Sequence, residues 1–108
     1  MLKIDAPTLT QLINTCFELS MDGRLTDDQQ RGFLVAGKRL RGCLVNLISA
    51  QFNDGTAEVV TANSQLKQAN QHAADLAKGV SAASNVLSEI TSLVGALDDL
   101  LKLAVSFH

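Results

Sequence analysis

From Val59 to Ala104 the chain repeats one apolar spacing without a slip. Val59, Ala62, Leu66, Ala69, Ala73, Leu76, Val80, Ala83, Leu87, Ile90, Val94, Leu97, Leu101 and Ala104 alternate intervals of three and four. That rhythm is the seam of an α-helix packed on other helices; a strand, with its period of two, does not present it on one face. Because the register never breaks, the spacing predicts one continuous helix over about 57–106. From first to last seam residue it would span about 69 Å. Gly79 is the weak point, since glycine inside a helix costs about 1 kcal/mol relative to alanine. A break there makes four helices instead of three, with Ser81 or Ser84 as the cap of the last.

The residues before the seam also read as helix. Asp5 precedes Pro7, whose missing N–H is harmless in a first turn, and Leu9, Leu12, Ile13, Cys16, Phe17 and Leu19 follow at helical spacing. Gly23 offers a left-handed stop, which places the first helix at about 6–21. Thr26-Asp27-Asp28-Gln29 has the form of a capping box, and its two carboxylates suit the positive end of a helix dipole. The stripe behind it is Phe33, Gly37, Leu40, Leu44, Leu47 and Ile48. Asn53-Asp54-Gly55 ends a second helix of about 27–52, and Thr56 caps the next. Leu and Ala far outnumber Val and Ile, and Tyr and Trp are absent, which also disfavours a sheet. The expected fold is all-α: one domain over residues 1–108, an antiparallel helical bundle or coiled coil of three helices with a long C-terminal heptad helix.

Packing expectations follow from side-chain size. Folding the second helix back across Asp54-Gly55 sets Gly37 near Ala69 and Ala73, a close approach of small residues. Arg31, Lys38, Arg39 and Arg41 would then face the more acidic third helix. Further along, Val86, Leu93 and Leu100 widen the stripe formed by Leu87, Ile90, Val94, Leu97 and Leu101. A stripe that wide needs two neighbours, and in a three-helix chain the preceding helices do not reach its end. These eight residues are therefore the expected interface of a homodimer or higher homo-oligomer. If the chain breaks near Gly79, the stripe is buried within one four-helix chain instead.

Chemistry is sparse. Cys16 and Cys43 form no C-x-x-C and read as small buried apolar residues. His72 with Asp75 three residues on reads as a surface pair, and Cys43 with His72 lacks an orienting third group. No catalytic residue, metal ligand or cofactor is assigned. Lys3 and Asp5 interrupt any secretory signal, no uncharged run is long enough to span a bilayer, and a single possible disulfide points to a reducing, cytoplasmic setting. The reading that fits is a non-enzymatic interaction or scaffold protein that self-associates through its C-terminal helix and assembles or regulates a protein partner. One alternative is a membrane- or lipid-binding amphipathic protein using the stripe from Val86 to Phe107, disfavoured by Glu89, Asp98 and Asp99. Another is a nucleic-acid-binding module using Arg31, Lys38, Arg39 and Arg41, with no aromatic residue beside them to stack on bases. Leu34, Val45 and Phe52 form a partial second stripe on the second helix, a possible contact surface for another chain.

Overall fold

The structure, a computed structural model, describes residues 3–50, 52, 57–79 and 82–103. They form four helices: α1 Ala6–Leu19, α2 Asp27–Leu47, α3 Ala57–Ala77 and α4 Ala83–Leu101. The first two begin as their caps require. The Asp5 carboxylate accepts from the Thr8 amide (3.3 Å) and hydroxyl (2.8 Å). Thr26 and Gln29 close a reciprocal capping box, at 3.1 and 3.0 Å. Gly23 is not left-handed. The Asp22 carboxylate turns the chain there, accepting from the Arg24 amide at 2.9 Å. α2 ends at Leu47, with Ile48 as its C-cap, so it is shorter than the spacing predicts. The expected turn at 53–55, the Thr56 and Ser81 caps, and the seam positions Val80 and Ala104 lie outside the described residues.

The long helix is broken. Gly79 adopts φ +91°, a conformation L side chains rarely take, and its amide donates to the Leu76 carbonyl at 2.8 Å. A long-range contact supports the break: Arg24 Nη2 donates to the Ala77 carbonyl at 2.7 Å, satisfying an acceptor that the end of α3 would otherwise leave free. Ser84 lies inside α4, whose N-cap, Ala82, makes no side-chain hydrogen bond.

Side-chain contacts fix the arrangement. Asn63 accepts from the Asp5 amide (2.8 Å) and donates to the Lys3 carbonyl (3.1 Å), while Asn70 donates to Gln11 (3.1 Å). With Arg24 on Ala77 at the far end, α1 and α3 run parallel, side by side. α2 and α4 are also parallel: Gly32 lies against Leu87, and Cys43 Sγ lies 3.6 Å from the Asp98 carboxylate. The two hairpins α1–α2 and α3–α4 are thus stacked side by side into a bundle of 45 × 21 × 19 Å. Contacts join α1 to α2, α1 to α3, α3 to α4 and α2 to α4; α1 and α4, like α2 and α3, stand across the diagonals without backbone contact.

That topology corrects two expectations. α2 does not pack on α3, because α4 and α1 hold the places beside it. Gly37 is buried, but a Cβ on it would stand 2.8 Å from the ring of Phe17 on α1, not against Ala69 or Ala73. Those two alanines are fully buried on α3, so all three small residues do sit inside the bundle. The second correction concerns the expected oligomer interface. Val86, Ile90, Leu93, Val94, Leu97 and Leu100 are buried within one chain, and Leu87 and Leu101 are half-buried against the same core. Once Gly79 turns α4 back, the stripe finds its two neighbours in α2 and α3, and no second copy is needed to cover it.

Candidate functional site

The residues that carry chemistry are kept apart. Cys16 on α1 and Cys43 on α2 are free and buried. Burial pushes the Cys16 thiol up to about 12. Burial, reinforced by the Asp98 carboxylate, raises Cys43 to about 11. Neither holds the thiolate that nucleophilic or metal chemistry uses. His72 Nδ1 lies 2.7 Å from Glu89 Oε2, tying α3 to α4, whereas Asp75 accepts from Gln71 at 3.1 Å. The expected His72–Asp75 pair is replaced because α4 brings a carboxylate closer than one turn of α3 does. Cys43 and His72 sit on diagonal helices. Among the described residues, no three His, Cys, Asp or Glu side chains cluster as a metal site, and no helix is long and apolar enough to cross a membrane.

The outer face of α2 is different. Its inner side carries Phe33, Ala36, Gly37, Leu40, Cys43 and Leu47, all buried. On the opposite side Leu34, Lys38, Arg41, Val45 and Ile48 repeat the four-three spacing of a packed seam, yet face solvent. Val45 is 67% exposed, Ile48 58%, Val35 48% and Leu34 37%. Elsewhere among the described residues, the large exposed apolar side chains stand singly, at Met21, Val60 and Leu103. Scattered exposed apolar groups are ordinary; Leu34, Val45 and Ile48 share one side of the helix, and Val35 stands about 100° round from Leu34, toward α4. Phe52, expected on this stripe, is fully buried, and Ile48, expected in the core, is outside. Ile48 caps α2 in helical conformation, its amide on the Leu44 carbonyl at 2.9 Å, and the register turns it outward past Leu47, whereas Phe52 lies beyond the end of the helix.

The charge on this face is of one sign. Beyond the first turn of α2 the sequence has no acidic residue until Asp54, while Arg31, Lys38, Arg39 and Arg41 are all exposed. Arg31 lies 3.9 Å from Asp28 in a solvent-exposed pair. Among the described residues, no carboxylate comes within ion-pair distance of Lys38, Arg39 or Arg41. Their expected acidic neighbour, α3, lies across the diagonal.

Between α2 and α4 the surface dips into a groove of about 370 Å³. Ala36, Ile90 and Val94 give it an apolar floor, Val35 stands at its edge, Arg31 and Arg39 line the α2 side with Asp28 at one end, and Thr91 adds a hydroxyl from α4. Leu87 fills the space beside Gly32, where a Cβ would stand 3.1 Å from it, so α4 packs close to α2 at this point. The α4 contribution is not legible from α2 alone, because the parallel pairing of the two helices creates it. A second cleft of about 320 Å³ opens between α3 and α4, lined by Glu58, Thr61, Gln65, Ala96, Asp99 and Leu100 among others. In comparisons with known proteins, no family model, curated protein or solved structure matches this chain.

Proposed function

We propose that this protein is a non-enzymatic helical interaction module, an adaptor or scaffold that engages a protein partner through the exposed face of α2. The observation that carries this reading is the solvent-facing alternation of Leu34, Lys38, Arg41, Val45 and Ile48 at the spacing of a packed helix seam. A bundle whose core is complete has no internal use for a second seam. Leaving it in water forgoes burial of roughly 1.5–3 kcal/mol per large apolar side chain, and a partner restores it. The expected self-association through α4 loses its basis, since that stripe already lies in the core. A photo-crosslinking amino acid tests the reading, placed at Val45 on α2 and, as control, at Ser64 on the exposed side of α3. In cells expressing the protein, Val45 is expected to give discrete protein adducts and Ser64 to give none. Equal or absent crosslinking at the two positions overturns it.

A second reading has one observation in its favour: Arg31, Lys38, Arg39 and Arg41 are exposed together, as nucleic-acid contact would require. The apolar residues interleaved with them have no role on a phosphate backbone, so protein contact accounts for more of the face.

A further inference from the structure

The groove between α2 and α4 joins an apolar floor to a cationic wall, and both properties select an occupant. From these we infer that the groove, with the adjoining face of α2, binds an acidic amphipathic helix: a partner segment with aliphatic residues on one stripe and carboxylates along its edges. This rests on the reading of α2 as the interaction face and names the partner's chemistry.

The argument is one of complementarity. Arg31 and Arg39 are eight residues apart on one helix, a rise of about 12 Å, or just over two turns. A helix lying along α2 presents carboxylates at that interval from positions seven or eight residues apart, on one side of its stripe. Between the two guanidiniums, Val35 and the buried floor of Ala36, Ile90 and Val94 offer apolar surface, and the Thr91 hydroxyl beside them spends its proton on the Leu87 carbonyl. Gly32 lets Leu87 of α4 pack against the backbone of α2, which adds a further aliphatic side chain to the lining. Acidic residues stand at the ends of this stretch, Asp28 beside Arg31 and Asp98 beside Cys43, so the positive zone has limits. Like-charge contact at those ends sets the register of an acidic helix and penalises displaced ones. An anionic bilayer fits less well, because interfacial faces use Trp, Phe and Leu, whereas this one carries a single leucine, Leu34, with the short, β-branched Val35, Val45 and Ile48. Nucleic acid fits less well for want of a stacking side chain.

The probe is a fluorescein-labelled 21-residue peptide with Leu at the a and d positions of three heptads, Glu at e and g, and Ala elsewhere. Its own like charges keep it from pairing with itself at neutral pH. Its anisotropy is expected to rise on titration with the full chain, with Kd below about 100 µM. A scrambled peptide of the same composition and charge should bind at least tenfold more weakly. Arg31→Glu with Arg39→Glu, and separately Val35→Asp, should each weaken binding at least tenfold, with the circular dichroism spectrum unchanged. Lys67→Glu, on the exposed side of α3, should change it less than twofold. Absence of binding, equal binding of the scrambled peptide, or indifference to both α2 variants overturns the inference. So does tighter binding to phosphatidylserine vesicles or to a 20-base-pair DNA duplex than to the peptide. Failure here with positive crosslinking at Val45 removes the acidic-helix occupant and leaves the interaction module standing; failure of both removes the module as well.

Discussion

Three glycines separate the local demands that this fold makes on single residues. Gly42 has no heavy atom within 4 Å of where a Cβ would stand, so Gly42→Ala should gain helix propensity at no steric cost. It is expected to raise stability by about 0.5–1 kcal/mol in urea unfolding followed by circular dichroism. Gly37 lies under the ring of Phe17, and Gly37→Leu should lower stability by about 1–3 kcal/mol despite leucine's better propensity. Combining it with Phe17→Ala should return part of that loss, the sign of a shared contact. Gly79→Ala forces a Cβ into a left-handed residue and toward Arg24, and should cost about 1–2 kcal/mol. Asp22 adds a pH dependence. Hydrogen bonds from the Arg24 side chain and amide, with the guanidinium's charge, lower its carboxyl from 3.8 to about 2. A group whose folded value is depressed stabilises above its unfolded value and stops doing so as pH falls through the folded one. The stability gap between wild type and Asp22→Asn should therefore hold at neutral pH and close between about pH 4 and 2.

At the scale of the helix, α4 shows how a seam is read differently by different neighbours. Ala83, Val86, Ile90, Leu93, Leu97 and Leu100 are its most buried line, while Leu87 and Val94 border the α2 groove and Leu101 is half-buried. Sequence spacing favoured 87–94–101 as the continuation of the α3 seam; the turn at Gly79 resets the helix, and the parallel line of 86–93–100 goes to the centre. Ile90 is fully buried, so Ile90→Ala should cost about 2–5 kcal/mol. Ile90→Asp with Leu97→Asp should unfold the chain, seen as loss of helical ellipticity, instead of releasing folded monomers from an oligomer.

Taken as a whole molecule, the bundle closes its own core. Light scattering with refractive-index detection, suited to a chain without Trp or Tyr, should give the mass of a single 11.5 kDa chain at micromolar concentration. A dimer that survives substitutions at Leu34 and Val45 would place association on a surface other than α2. The sequence by itself determined the helical class, the two capped starts at Asp5 and Thr26, the burial of nearly every seam residue described, and the weakness at Gly79. These depend on spacing and on hydrogen bonds between near neighbours, which a sequence displays directly. The exposed cations of α2 and part of its apolar stripe, Leu34 and Val45, were legible for the same reason. Tertiary structure alone decided whether Gly79 would break the seam, because the contact that closes the end of α3, at the Ala77 carbonyl, comes from Arg24, 53 positions away. It also decided that α4, not α3, stands beside α2. An unbroken heptad favours one long helix but is also satisfied by two shorter ones, since both bury one face in three-four steps. Which solution is adopted depends on how much apolar surface each leaves in water. Here the folded-back α4 leaves almost none on its own stripe and frees the basic face of α2.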